Sequence, residues 1–182
     1  MVPGYNLPTA ISFKYALSLG QAENYVRETI SHEDIAFLQY TGGTTGVSKG
    51  AVLLHRNIVA NMLQAKAWLK PMAIGESSQE IIITPLPLYH IFSLTANCFL
   101  FTCIGGRNIL ITNPKDIAGF VKELTKWKFT AFTGVNTLFN ALVNNENFKK
   151  LDFSNLKLTL GGGMAVQKMV ADKWKSVTGK PL

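Results

Sequence analysis

A polar loop lies between two apolar runs in the stretch Ile35-Ala-Phe-Leu-Gln-Tyr-Thr-Gly-Gly-Thr-Thr-Gly-Val-Ser-Lys-Gly-Ala-Val-Leu-Leu54. Its central part, residues 40–51, contains three threonines, four glycines and one lysine. The flanking runs, 35–41 and 50–54, have the composition of strands, so the loop is predicted to join a β-hairpin. Glycines let the backbone approach an anion, and hydroxyls, amide hydrogens and an ammonium group donate to it. The stretch therefore predicts a phosphate-binding loop.

This loop differs from the Walker A pattern, in which a glycine precedes the lysine and a serine or threonine follows it. Lys49 lies instead between Ser48 and Gly50, which indicates a different kind of nucleotide site. A flexible hairpin turn is the alternative, but a turn needs only one or two glycines and gains nothing from the lysine. In the phosphate-binding interpretation Lys49 neutralises the β- and γ-phosphates. The side chains that would donate to the same oxygens are Thr41, Thr44 and Thr45.

Beyond this hairpin, short apolar strands alternate with helices. Predicted strands cover 81–84, 108–112, 130–133 and 156–160, and predicted helices cover 91–104, 116–128, 137–144 and 166–177. Because the strands are apolar on both faces, the pattern predicts an α/β fold with a mostly parallel sheet flanked by helices. Residues 1–34 are expected to form a lead-in segment, and residues 35–182 a domain.

Two further segments could carry chemistry. Ligands of open α/β sheets gather at the carboxyl ends of strands, where both the polar loop and the glycines at 161–163 are predicted to lie. Three glycines at 161–163 either allow tight helix–sheet packing or let a flat base or acyl group lie against the backbone. The prolines of Pro85-Leu-Pro-Leu-Tyr-His90 hold an extended segment that delivers His90 to an apolar helix. One interpretation of His90 is a hydrogen-bonded structural role. The other is that His90 is a catalytic residue, for which gating or contact with a carboxylate fits better than acid–base catalysis.

Composition argues against several other classes of protein. The formal charge is +7, but all of the excess lies after residue 106, where the lysines oppose apolar stripes and no nucleic-acid motif accompanies them. Cys98 and Cys103 lack metal-site spacing and are expected to be buried, reduced thiols. The run 91–104 is too short and too polar to span a membrane, and the first residues lack a secretory pattern, so a cytoplasmic location is expected. No acidic residue lies in the loop, so a carboxylate ligand of Mg²⁺ is expected outside this chain.

Three segments resemble, in the same order, the motifs of the adenylate-forming acyl-CoA synthetase superfamily. They are Tyr40 to Ala51, then Pro85-Leu-Pro-Leu-Tyr-His-Ile-Phe92, then Gly161-Gly-Gly-Met164. The double-glycine form of the loop, with Ile111-Thr-Asn-Pro114 and Thr133-Gly-Val-Asn-Thr-Leu-Phe-Asn-Ala-Leu142, resembles the bacterial long-chain fatty-acid–CoA ligases. The fold implied is the N-terminal, AMP-binding (adenylation) domain of these enzymes.

The resemblance implies a two-step reaction. A fatty acid and MgATP give an acyl-adenylate and pyrophosphate, and coenzyme A then displaces AMP to form the thioester. It places His90 near the acyl carboxylate and the thiol. The residues it assigns to nucleotide binding are Tyr40, Thr41, Gly42, Gly43, Thr44, Thr45, Gly46, Val47, Ser48, Lys49, Gly50, Ala51, Gly161, Gly162, Gly163 and Met164.

The superfamily's later motifs do not occur in this sequence. They carry a glutamate for Mg²⁺, an aspartate for the ribose and, in a C-terminal domain, a catalytic lysine. The chain is therefore expected to be an internal piece of the N-terminal domain and to be inactive alone. Alternatives are a ligase for a shorter or aromatic acid, and a non-catalytic binding module that uses its basic part. Peripheral contact with the inner membrane and self-association through an exposed apolar edge are also expected.

Overall fold

A computed structural model describes residue 4 and residues 6–41, 48–75 and 79–182. Residues 42–47, the centre of the predicted phosphate loop, lie outside this described part. The chain divides into two compact units, residues 1–31 and 32–182. The first unit contains helix α1 (Phe13–Gln21), which begins after Ser12, whose hydroxyl oxygen accepts a hydrogen bond from the Tyr15 N–H at 3.2 Å.

The second unit begins with the predicted hairpin. Strand β1 (Ile35–Thr41) pairs in antiparallel fashion with β2 (Lys49–Leu54), and the register runs from Ile35 opposite Leu54 to Thr41 opposite Lys49. Helix α2 (His55–Leu69) follows directly. Asn57 lies in its first turn, where its Oδ1 accepts from the Leu54 N–H at 2.9 Å.

Four parallel strands form the main sheet of this unit, as the apolar runs predicted. They are β3 (Ile81–Thr84), β4 (Arg107–Leu110), β5 (Ala131–Gly134) and β6 (Leu158–Gly161). Their order across the sheet is β4-β3-β5-β6, and every neighbouring pair is parallel. The fold is therefore α/β, although the hairpin β1–β2 forms a separate two-stranded sheet.

Helix α3 follows β3 and consists of an α-helical turn (Ile91–Ser93), a π-helical segment (Leu94–Phe99) and a last α-helical turn (Leu100–Cys103). The remaining helices are α4 (Ile117–Leu124), α5 (Asn136–Val143) and α6 (Lys168–Thr178). These segments correspond to the predicted helices, with ends that differ by a few residues.

Side chains of the sheet are buried on both faces. Ile82, Ala131 and Leu158 pack in one cluster with residues of α2 and α3, while Ile83 and Phe132 pack in the other with residues of α4, α5 and α6. Such two-sided burial removes apolar surface from water on both faces and explains the apolar residues of these strands.

Candidate functional site

The sheet has a topological switch point between β3 and β5. These strands are neighbours, but the helix after β3 packs on one face of the sheet and the helix after β5 packs on the other. Their chains diverge beyond Thr84 and Gly134 and leave a crevice at the carboxyl edge. Ligands of open α/β sheets bind at this kind of crevice.

The segment after β3 brings His90 to this edge. The His90 N–H donates to the Pro87 carbonyl oxygen at 3.1 Å, and the imidazole Nδ1 accepts from the Phe92 N–H at 3.2 Å. His90 thus caps helix α3 and is itself exposed. Because Nδ1 acts as an acceptor, the neutral ring carries its hydrogen on Nε2, which is left to donate outward.

The glycines at the end of β6 lie beside the same segment. A Cβ atom on Gly162 would come within 2.7 Å of the Phe92 ring, so only glycine lets this ring lie so close to the backbone. Gly163 has a φ of +79°, a conformation that favours glycine, and the Gly162 N–H donates to the Gly134 carbonyl oxygen at 3.0 Å. Met164 is exposed. The second and third motifs are therefore in contact.

The hairpin also reaches this segment. Gln39 Nε2 donates to the Tyr89 carbonyl oxygen at 3.0 Å, one residue before His90. Thr41 and Lys49 form the last backbone pair of the hairpin, so they lie at the base of the loop. Lys49 is exposed, and no ion pair joins it to another residue of the described part.

One prediction about the loop was wrong. The prediction placed the loop at the carboxyl end of a strand of the parallel sheet. The loop instead joins the two antiparallel strands of the hairpin, which form a separate sheet. The described part of the hairpin approaches the carboxyl edge through the Gln39–Tyr89 contact. Of the assigned loop residues, 42–47 lie outside the described part of the chain, and Ser48, Gly50 and Ala51 are exposed at the start of β2.

An apolar groove of about 370 Å³ opens at the same edge. Pro85 and Leu86 line one side of it, and Val135, Leu138 and Ile117 line the other. The groove therefore lies between the segment that follows β3 and the start of α5, and it could hold an apolar group.

Carboxylates and cysteines give little support for a metal site here. Within the described ranges, no group of three or more His, Cys, Asp and Glu side chains could hold a metal ion. None of the three motifs contains a carboxylate, so their residues do not by themselves fit Mg²⁺. Cys98 is half-buried and Cys103 is exposed, so the expectation of burial was wrong for Cys103, which faces outward in the last turn of α3. No described helix is both long and apolar enough to cross a membrane.

Sequence patterns alone missed the side chains that hold the three motifs together. Gln39 lies in a strand outside the motifs, and Phe92 ends the second motif but had no role assigned to it. Asn97 is completely buried, and its Nδ2 donates to Thr84 Oγ1 at 3.0 Å and to Thr133 Oγ1 at 2.8 Å. A buried amide in the most apolar run of the chain was the one available signal for this network.

A parallel sheet with a crevice at its switch point is typical of α/β proteins that bind a ligand at strand ends. Residues 7–182 match the sequence model of the AMP-binding enzyme family, and the chain belongs to this family.

Two relatives resemble the chain along nearly all of its length. It is 58% identical over 182 residues to a long-chain-fatty-acid–CoA ligase of Yersinia pestis, and 60% identical over 180 residues, or 98% of the chain, to one of Haemophilus influenzae. The chain spans 32% of the length of each of these relatives. A 4-coumarate–CoA ligase of Petroselinum crispum is 31% identical over 79% of the chain, which covers 26% of that protein.

Solved structures show the same fold. A fatty acyl-adenylate ligase from L. pneumophila, in complex with acyl adenylate and pyrophosphate, matches with a TM-score of 0.68 and 25% identity over 85% of this chain and 28% of that one. ATP-bound MatB from Rhodopseudomonas palustris matches with a TM-score of 0.72 and 22% identity over 92% of this chain and 32% of that one.

Proposed function

We propose that this chain supplies the phosphate-binding and acyl-binding part of an ATP-dependent long-chain fatty-acid–CoA ligase. The reaction joins a fatty acid to coenzyme A through an acyl-adenylate and releases AMP and pyrophosphate. The observation that supports it is contact among segments distant in sequence: Gln39, which directly precedes the first motif, contacts Tyr89 of the second, and Phe92 of the second lies on Gly162 of the third. The identity of 58–60% to ligases named for long-chain fatty acids favours this substrate over a shorter or aromatic acid.

In this proposal residues 40–51 bind the β- and γ-phosphates, with Lys49 at the base of the loop as the mobile cation. Leaving-group charge would then be stabilised by hydrogen-bond donors of the loop, so the loop needs no covalent role. Residues 161–164 would line the site for the adenine and the acyl group. Mg²⁺ would accompany ATP and neutralise phosphate charge, held by residues other than these motifs.

His90 is proposed to contact the acyl carboxylate. Its Nδ1 is occupied by the Phe92 N–H, which leaves Nε2 as a donor toward a carboxylate oxygen. A capping role fixes the ring orientation, so the group suits positioning of a carboxylate better than repeated proton transfer. The groove between Leu86 and Leu138 would receive part of the apolar chain.

Replacing Lys49 with alanine tests the proposed phosphate role. We expect Lys49→Ala to weaken ATP binding at least tenfold, because a hydrogen bond to a charged group contributes about 1.5–3 kcal/mol. Isothermal titration of this chain with ATP and Mg²⁺ measures the affinity. Lys66→Ala, which removes an exposed lysine on α2, is the matched control and should bind like the wild type. Equal affinity of Lys49→Ala and the wild type would remove the role assigned to Lys49.

A second proposal, peripheral contact of a cytoplasmic protein with an anionic membrane face, is favoured by a cluster of exposed lysines. Two neighbouring depressions share Lys150; Lys126 and Lys128 line one of them and Lys122 lines the other. Each lysine near an anionic surface contributes about 1 kcal/mol, and salt screens this attraction.

Vesicle co-sedimentation tests the membrane contact. We expect phosphatidylglycerol vesicles to bind the chain at low salt and release it at high salt, and phosphatidylcholine vesicles to bind little at any salt. The double variant Lys122→Glu/Lys150→Glu should bind more weakly than the wild type. Binding that is indifferent to salt and to this variant would rule the contact out.

The chain is further proposed to self-associate through the hairpin. Leu38, Tyr40 and Val52 share one face of the two strands and are 59%, 63% and 55% exposed. Within the described residues neither strand pairs with a third, so the hairpin offers open edges beside an apolar face. We expect the sedimentation coefficient to rise with concentration, and Val52→Lys to suppress the rise. A single monomeric species at high concentration would contradict this expectation.

A further inference from the structure

Asn97 is a polar side chain in the middle of the most apolar helix, and it is completely buried. Both of its hydrogen-bonding atoms are used: Nδ2 donates to Thr84 Oγ1 and Thr133 Oγ1, and Oδ1 accepts from the Thr133 hydroxyl at 3.1 Å. A buried amide is costly unless it is hydrogen-bonded, whereas leucine of similar size would pack there without that cost. The amide therefore specifies an arrangement of α3 that apolar packing alone would not.

The two threonines that Asn97 contacts lie at the carboxyl ends of β3 and β5, the strands that border the switch-point crevice. Both threonines are buried, and the Thr84 hydroxyl donates in turn to Asn108 Oδ1 of β4 at 3.0 Å. Hydrogen bonds are directional, so this network is complete in one rotational setting of α3 only. It couples one helix to three strands at the edge that carries the site.

The backbone around Asn97 explains why the rotational setting of α3 needs to be specified by hydrogen bonds. In the π-helical segment the Leu100 N–H donates to the Thr95 carbonyl oxygen, five residues back, and the Thr95 hydroxyl donates to the Ile91 carbonyl oxygen at 2.8 Å. A π-helical turn is wider than an α-helical turn, so it changes the angle between the first turn of α3 and the last. Short π-helical insertions in α-helices are frequent at functional sites.

We propose that Asn97 is a positioning residue, whose hydrogen bonds to Thr84 and Thr133 hold α3 so that Phe92 lies against Gly162 and His90 lies at the crevice. Asn97 itself contacts no ligand in this proposal. It acts through the first turn of α3, which carries both side chains. The inference rests on the proposed function for the identity of the site, but the position of the Phe92 ring can be measured without any ligand.

Nuclear magnetic resonance of this chain measures that position directly. The Phe92 ring packs on Gly162, so its ring current shifts the Gly162 Hα resonances away from the values of an unstructured glycine in the wild type. We expect Asn97→Leu to abolish this shift while circular dichroism shows that the chain remains folded. Thr178→Val is the matched control, since it removes a buried hydroxyl that donates to the Trp174 carbonyl oxygen in α6. This control should lose stability but keep the Gly162 shift.

A second variant separates positioning from stability. Asn97→Leu/Thr133→Val removes both partners of the buried hydrogen bond, which should return most of the stability lost in the single variant. We expect the Gly162 shift to stay absent in this double variant. Retention of the wild-type Gly162 shift in either Asn97 variant would overturn the proposal, because packing alone would then place the ring. Failure of the wild type to bind ATP would instead count against the proposed function and leave this result unaffected.

Discussion

Trp174→Ala should lower the free energy of unfolding by about 3–5 kcal/mol, the range for removal of a large aromatic side chain from a core. The indole is completely buried, and its ring lies 4.8 Å from the ring of Phe139, 5.5 Å from that of Phe148 and 5.6 Å from that of Phe132. Its Nε1–H also donates to Thr159 Oγ1 at 3.3 Å, so the variant leaves a buried hydroxyl without its donor. Urea unfolding followed by circular dichroism measures the loss.

Trp68→Ala provides the matched control. This tryptophan lies near the end of α2 and is 55% exposed, so its removal should change the free energy of unfolding by no more than about 0.5 kcal/mol. A similar loss in the two variants would show that the helix α6 does not organise the aromatic core. A loss of about 1 kcal/mol or less in Trp174→Ala would also contradict the prediction, because this loss would be close to the effect of an ordinary surface substitution.

The importance of Trp174 could be read from the sequence only in part. Apolar residues at helical spacing in 166–177 predict one apolar face. Of its members Val166, Met169, Val170, Trp174 and Val177, Val170 and Trp174 are buried, whereas Met169 is 75% exposed. What the pattern could not give is the set of partners, because Phe132, Phe139 and Phe148 come from other elements. The strands were located within a few residues, since they are apolar on both faces, but their order β4-β3-β5-β6 depends on contacts between distant segments.

The site, like the core, could be predicted from the sequence only in part. Three motifs could be located by residue type, and the structure brings His90, the glycines at 161–163 and the hairpin to one edge. The helix that carries this arrangement was predicted as an ordinary buried helix. Its π-helical segment arises where the Thr95 hydroxyl takes the Ile91 carbonyl and Asn97 bonds to two strands. Neither contact has a signature in a single sequence beyond a few polar residues in an apolar run.

At the opposite, amino-terminal edge of the sheet, Lys157→Met should destabilise the chain by about 3–5 kcal/mol, the cost of leaving a buried charge without its partner. Glu80 precedes β3 and its side chain is fully buried, and Lys157 Nζ lies 2.6 Å from its Oε1. The Gly75 N–H also donates to Oε1, at 3.2 Å. Oε2 is buried without a partner among the described residues, so the carboxylate depends heavily on the ammonium group.

The effect of pH on the contribution of Glu80 to the free energy of unfolding should change sign in Lys157→Met. Burial raises the pKa of Glu80, but the hydrogen bond from Lys157, the neighbouring Thr130 hydroxyl, the Gly75 N–H and the charge of Lys157 together outweigh it and hold the pKa below its ordinary value of 4.5. In the wild type the ionised form is therefore favoured by folding, and this contribution is present above pH 4.5 and is lost as the pH falls through the folded pKa. Without Lys157, burial is the largest remaining influence and only Thr130 and Gly75 oppose it, so we expect the folded pKa to rise above the unfolded one and stability to fall as the pH increases past 4.5.

Glu80→Gln separates this pair from the other titrating groups. Subtracting the stability of Glu80→Gln from that of the wild type at each pH isolates the contribution of the carboxylate, and subtracting Glu80→Gln/Lys157→Met from Lys157→Met does the same without the ammonium group. The double variant should also recover much of the stability lost in Lys157→Met, because a neutral amide needs no counter-ion. Two difference curves of the same sign would mean that Lys157 does not control the ionisation of Glu80, and the pair would then contribute to packing rather than to charge balance.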